Sequence, residues 1–221
     1  PYHRESEERR RDDPIAAAPE LVAEGGLRAA TVREIAARAG VTPGLIRHYF
    51  ATKDDLTRAA YTKLMQGMTK DSAAALEGAP EDPLPRLAGF VAAAVSPPVV
   101  DPVSVGLWAG FLHDLRRDTT MREIHTTNYL AFRDLLQRLI ADLPRTADDA
   151  QLRREAIACN AVIDGLWLEG SVLPEAFAPD EIVTIALASV GAILGVDLAS
   201  ALKLPLPDPN LPDPNLPERN S

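Results

Sequence analysis

A short run of side chains between positions 42 and 53 has the types and spacing to grip a polyanion. Arg47 and His48 are adjacent and carry donors that can reach guanine edges or phosphates. Thr42, Gly44 and Leu45 precede them at spacings that share a helical face. Gly44 lets a backbone come close to a groove wall. Tyr49 follows at once, and Lys53 stands beside a further helix start at Asp54-Asp55, where a lysine and backbone amides can hold a phosphate. Thr31 opens the preceding segment in the same way. The surrounding charge is uneven. The 221-residue chain has a formal net charge of −9, yet the segment 28–53 carries Arg28, Arg33, Arg38, Arg47 and Lys53 against Glu34 alone. That is a local charge of +4 within an otherwise acidic protein, which suggests two jobs; a merely solvated charged face is the alternative.

Catalytic patterns are missing by comparison. His3, His48, His113 and His125 show no HExxH or His-x-His spacing, and neither a G-x-S-x-G elbow nor a phosphate-binding glycine loop occurs. The lone Cys159 can close no disulfide within the chain, joins no zinc-type cluster, and reads as a small apolar core residue. The expectation is a protein that is not an enzyme and has no cofactor and no metal.

The elements that hold the basic residues follow from local rules. Thr31 precedes Val32, Ile35, Ala36 and Ala39, a stripe at helical spacing, and Glu34 three residues on predicts a capping box. Gly40 suits the left-handed position after a helix end, Val41 can plug a core, and Thr42 with Pro43 supplies a new N-cap and first helical residue. Two short helices joined so tightly match a helix-turn-helix over about residues 31–50. On the second, Ile46, Tyr49 and Phe50 can pack inward, leaving Thr42, Gly44, Leu45, Arg47 and His48 outward.

The rest of the chain repeats apolar residues at helical spacing and shows no sustained strand alternation, so the fold class is all-α. The pattern predicts about nine helices: 10–24, 32–39, 43–50, 54–76, 84–95, 103–117, 121–143, 147–173 and 179–194. Pro14 fits a first-turn position, whereas Pro19 should kink the first helix. Residues 204–221, with the repeat LPDPN, form a proline-rich tail that cannot build a core. The longest uncharged apolar run, Ile182 to Val196, falls short of the roughly 20 residues that span a bilayer. No membrane partner is therefore expected. The charged start and single cysteine suit the reducing cytoplasm.

The string TVREIAARAGVTPGLIRHYFATKDDL resembles the DNA-binding signature of TetR-family transcriptional regulators. The matching elements are Thr31, Ile35-Ala36, Ala39-Gly40-Val41, Gly44, Tyr49-Phe50 and Lys53 to Leu56. The resemblance implies a three-helix DNA-binding head over residues 9–68, with operator contacts from Thr42, Gly44, Arg47, His48, Tyr49 and Lys53. Arg47 stands where many members have tyrosine. It further implies a helical effector-binding and dimerisation domain, here 69–203.

Two stretches, GLWAGFLHDLRRDTTMREIHTTNYLAFRDLLQRLI and AVIDGLWLEGSVL, are similar to the effector domain of the BetI-like branch, whose founding regulator responds to choline. Read from the residues alone, Trp108, Phe111, Tyr129 and Trp167 with Asp164 and Glu169 could form a small-molecule pocket, with an organic cation as one ligand class; packing between helices is the alternative. Ile163, Leu166 and Gly170, with Ile182, Ile185, Ala186, Ser189 and Ile193, make two helices more apolar than one core can cover, which predicts a homodimer through a four-helix bundle. The expected protein is a homodimeric repressor released from a palindromic double-stranded operator by a small-molecule effector. A helical ligand-binding module without DNA binding is the rival reading.

Overall fold

The computed structural model describes residues 11–22, 24, 30–112, 114–116 and 118–202, and among them all regular structure is helical. Residues 11–22 form α1. It is followed by α2 (Val32–Arg38), α3 (Pro43–Tyr49), α4 (Lys53–Ala74), α5 (Pro83–Ala94), α6 (Pro102–Leu112), α7 (Thr119–Ala141), α8 (Asp149–Val172), α9 (Glu181–Leu194) and α10 (Leu198–Ala201). The expected start of α1 at Arg10, its stop at Gly25-Gly26, the positions of His3, Arg28 and His113, and the tail 204–221 lie outside the described residues. α1 is helical on both sides of Pro19.

The chain divides into two compact units. One comprises Pro1–Thr69 and Pro102–Phe132, the other Lys70–Asp101 and Arg133–Ser221. This division differs from the expected boundary at 68/69, because α6 and the first half of α7 belong with the head. Both α4 and α7 contribute residues to each unit.

The first unit has its own core. Leu21 of α1, Ile35 of α2, Ile46 of α3, Leu56 and Tyr61 of α4, and Phe111 of α6 are all buried in it. Val41 and Tyr49 pack against its edge. In the second unit the buried residues of α8, Ala156, Cys159, Ile163, Trp167 and Gly170, recur at helical spacing and meet Ala186, Leu187 and Val190 of α9. Gly170 permits this packing, and Gly191 permits the turn that follows α9. A Cβ on Gly170 would lie 2.5 Å from Ile182 Cδ1, and one on Gly191 would lie 2.6 Å from the Val196 carbonyl oxygen. Close approach at these glycines therefore happens within one chain.

Two features depart from the predicted helix pattern. α6 ends at Leu112, and a 3-10 turn at Asp114–Arg116 precedes a new start at Asp118, whose carboxylate accepts from the Met121 amide at 3.0 Å. Gly195, with φ of 69°, ends α9 in the left-handed conformation, and Asp197 then caps the unexpected α10 by accepting from Ser200 N at 3.0 Å. The sequence Asp-Leu-Ala-Ser is a short capping signal that could have found it.

Candidate DNA-binding surface

Three threonines start three successive helices. Thr31 accepts from the Glu34 amide at 3.3 Å and its hydroxyl donates to the Glu34 carboxylate. The expected capping box is therefore altered, because the carboxylate meets the hydroxyl of Thr31. That hydroxyl can donate to a phosphate only by leaving Glu34. Thr42 caps α3 by accepting from Leu45 N at 3.2 Å, with Pro43 at the first position. Thr52 makes the reciprocal box: its hydroxyl accepts from Asp55 N at 3.1 Å, and its own amide donates to Asp55 Oδ2 at 3.0 Å. Asp55 N, expected as an open amide beside Lys53, is thus already engaged.

Between α2 and α3, Gly40 takes a φ of 65°, where a side chain would strain the turn. The turn fixes how α3 is presented. Ile46 and Phe50 are buried and Tyr49 is half-buried, while Thr42, Gly44, Arg47 and His48 are exposed. Gly44, Arg47 and His48 are spaced i, i+3, i+4, so they form one strip along the outer face of α3. Leu45 flanks this strip half-buried, and Lys53 is half-buried at the first turn of α4. The His48 and Tyr49 rings meet edge to face at 5.1 Å.

Gly44 is informative because the fold does not require it. An added Cβ would meet nothing closer than Thr42 Oγ1 at 3.8 Å, an ordinary contact. Glycine inside a helix costs up to about 1 kcal/mol relative to alanine, and its lack of a side chain leaves the outer face of α3 open at this position.

The positive charges separate into two sets. Arg38 donates to Glu20 at 3.1 Å and to Glu24 at 2.8 and 2.9 Å, fastening α2 to the first helical segment. Arg58 is held by Asp55 and Asp118. Arg33 and Arg47 are exposed and, among the described residues, make no ion pair. Arg33, on the first turn of α2, was not singled out from sequence; its freedom becomes visible only once Arg38 and Arg58 are seen to be occupied.

The residues expected to line a ligand pocket fall in both units. Trp108, Phe111 and Tyr129 belong to the first unit; Asp164, Trp167 and Glu169 belong to the second. Phe111 packs on Tyr61 with ring centroids 4.8 Å apart, and Tyr129 stacks on His125 at 5.6 Å. Tyr61 is buried and its hydroxyl lies 2.6 Å from His125 Nδ1. Burial lowers the pKa of His125 and raises that of Tyr61.

Trp167 is core, its indole N–H donating to the Val99 carbonyl at 2.8 Å. Asp164 and Glu169 are exposed on α8: Glu169 lies on the side opposite Trp167, whereas Asp164, three residues before Trp167, lies near its face and accepts from Asn160 at 2.8 Å. Helical phase turns Glu169 away from Trp167, and both carboxylates are exposed and not desolvated beside the indole. An open cleft of about 380 Å³ in the second unit, lined by Val95, Pro97, Phe177 and Ile182 among others, includes none of these six residues.

The expected dimer residues also divide. Ile163, Gly170 and Ala186 are buried inside their own unit and cannot meet a partner; Leu166, Ile182, Ser189 and Ile193 are half-buried; Ile185 is exposed. The outward apolar stripe lies one face round. On α8 it comprises Ile157, Ala161, Gly165, Leu168 and Val172, and on α9 Ile185, Ala188 and Ala192. Burial of Cys159 pushes its thiol up to about 12, as suits an inert core residue.

Comparison with known proteins agrees with this geometry. Residues 15–60 match the bacterial regulatory proteins of the tetR family, and residues 83–195, more than half of the chain, match the BetI-type transcriptional repressor C-terminal family. The chain belongs to the TetR family of transcriptional regulators. Its second part is of the BetI type, and it is a DNA-binding regulator, not an enzyme. It is 29% identical over 168 residues to the HTH-type transcriptional regulator BetI of Paraburkholderia phytofirmans, covering 76% of this chain and 85% of that one. A solved transcriptional regulator from Pseudomonas aeruginosa PAO1 has a TM-score of 0.76 at 30% identity, covering 87% of this chain and 94% of its own. A regulator from Saccharomonospora viridis, solved in complex with choline, shares the fold with a TM-score of 0.63 at 18% identity, over 80% and 92% of the two chains. Among the described residues no helix is long and apolar enough to cross a membrane.

Proposed function

We propose that this regulator is a homodimeric repressor that binds a palindromic operator through the Gly44, Arg47 and His48 strip and leaves it when a small-molecule effector binds. The observation that carries this reading is the strip itself: a capped, exposed helical face with an uncommitted arginine and a glycine that the fold does not need. Arg47 reads base edges. Thr31, Thr42, Tyr49 and Lys53 hold phosphates, Thr31 by exchanging its bond to Glu34. Leu45 offers apolar contact at the groove. Two heads bind successive major grooves, so the operator has two half-sites about one helical turn apart.

The exposed stripe on α8 and α9 supports the dimer, since contiguous apolar surface on adjacent helices is a surface that association covers. The effector site is best sought around Trp108, Phe111 and Tyr129, where rings gather beside Tyr61 and His125. Aromatic faces suit an organic cation, and the choline-bound relative gives that ligand class a precedent. Effector and operator then oppose one another through a single coupling free energy.

The test is fluorescence anisotropy with duplex DNA flanking the protein's own gene, titrated across salt. A specific complex weakened by Arg47→Ala is expected. Equal binding to a shuffled duplex removes the repressor reading and leaves the ligand-binding module. Thermal shift with choline and other quaternary amines tests the cation; indifference to all of them ends that part.

A further inference from the structure

In the first unit a chain of polar contacts runs from the α3–α4 turn to the start of α7. The Thr52 hydroxyl donates to Asp55 Oδ2 at 2.8 Å, and Asp55 Oδ1 accepts from Arg58 Nη1 at 3.1 Å. Arg58 Nε and Nη2 both donate to Asp118 Oδ2, at 2.9 and 2.8 Å. Asp118 Oδ1 in turn accepts from the Met121 amide at 3.0 Å and caps α7. Both oxygens of Asp118 are therefore committed, one to α4 and one to α7. The pair spans sixty residues of sequence and is about three-quarters shielded, with 27% and 24% of the two side chains exposed.

A second contact repeats the link one turn further along α4. Tyr61, three residues after Arg58, meets His125, seven residues after Asp118, at 2.6 Å. The spacing puts Arg58 and Tyr61 on one face of α4 and Asp118 and His125 on one face of α7. Only Ala51 and Thr52 separate the C-cap of α3, Phe50, from the first turn of α4. So short a turn makes the direction of α3 follow the first turn of α4.

We infer that Asp118 is a positioning residue for operator binding: acting through Arg58 and Asp55, it sets the first turn of α4 and hence the placing of α3 and Lys53 against DNA. The inference rests on the reading that the α3 strip binds DNA. Asp118 itself touches no nucleic acid. Base-edge hydrogen bonds tolerate little misplacement, whereas phosphate attraction tolerates more, so loss of the link separates specific from non-specific binding. Because α7 also contributes residues to the second unit from Arg133 onward, a change that shifts α7 reaches Asp118.

The test uses the full chain and two duplexes: the DNA immediately upstream of its own gene, and a shuffled duplex of equal composition. Asp118→Asn keeps shape and capping ability while removing the charge that holds Arg58. It should lower affinity for the upstream duplex about tenfold, the scale set by loss of a charge-assisted hydrogen bond. Affinity for the shuffled duplex and the salt slope should stay unchanged, because every phosphate-facing side chain remains. Arg58→Gln should do the same, and the double variant should be no worse than either single one. Arg145→Gln, which removes the Glu155 partner pair in the second unit, should leave the ratio of the two affinities alone. Amide exchange at residues 51–56 should quicken in Asp118→Asn. Wild-type specificity in both single variants, additive losses, equal loss on both duplexes, or unchanged exchange at 51–56 would each overturn the inference. A wild-type chain that does not distinguish the duplexes instead removes the DNA-binding reading, and the inference with it.

Discussion

The helix pairs α2–α3 and α8–α9 solve opposite problems with similar packing. The first pair is two helices of 7 residues, each started by a threonine and separated by a glycine in the left-handed conformation. It buries one or two side chains per helix and turns a polar strip outward. The second pair is 24 and 14 residues long and buries a full stripe of each helix in one core. Even so it leaves Leu168 at 40% exposure, Val172 at 55% and Ile185 at 39%. Short helices cannot be held by their own hydrogen bonds, so caps and a shared core must fix them, and that leaves their outer face available for recognition. Long helices have surface to spare on two sides. Under the proposed function, the first pair recognises a polyanion and the second self-associates.

The largest effect is expected on the second pair. Leu168→Asp places a charge in the apolar stripe, and the protein should change from two chains to one 23.8 kDa chain in light scattering at micromolar concentration. Gly165→Trp should do likewise, since an added Cβ there meets nothing within its own chain. A wild-type protein that is already a single chain contradicts the assignment of this face.

Next comes the recognition strip. Arg47→Ala should cost about 1 to 3 kcal/mol of discrimination at one base pair of each half-site, read by competition with operators changed one position at a time. Uniform weakening across all sequences would instead make Arg47 a phosphate contact. The tight turn after α9 gives a comparable effect on stability. Gly191→Ala should destabilise by about 1 to 3 kcal/mol through its clash with the Val196 carbonyl, measured by urea unfolding.

The smallest effect is a pH window. The fold favours neutral His125 and neutral Tyr61. A histidine whose folded pKa is lowered contributes fully above its ordinary value near 6.5 and loses that contribution as pH falls below it. A tyrosine whose folded pKa is raised contributes fully below about 10 and loses it above. The melting temperature should therefore show no pH dependence from this pair between those limits, and His125→Phe should shrink the acid-side loss.

What was legible in the sequence follows the same contrast. Thr31, Gly40, Thr42 and Pro43 each fix the chain by a local rule, so the phase of α3 and the outward placing of Arg47 and His48 could be read directly. α8 carries two apolar stripes, 156/159/163/167/170 and 157/161/165/168/172, and the 3.6-residue period alone does not say which belongs to the protomer core. Ile163, Gly170 and Ala186 were thus expected at a partner although they pack inward. Around Trp167 the same period matters: nearness in sequence put Asp164 and Glu169 beside it, while helical phase keeps Asp164 on its side and turns Glu169 away. Arg58, Tyr61, Asp118 and His125 gave no signal, because their partners lie sixty or more positions away.

The most direct test of the central claim is Gly44→Ala, measured for stability and for operator binding in the same preparation. If α3 is shaped for DNA and not for its own fold, the variant should melt at the wild-type temperature or a few degrees above it, as a helical Gly→Ala change of up to about 1 kcal/mol predicts, and should bind the operator more weakly. A variant that binds as tightly as wild type, or one that loses stability, contradicts the assignment of this strip to DNA.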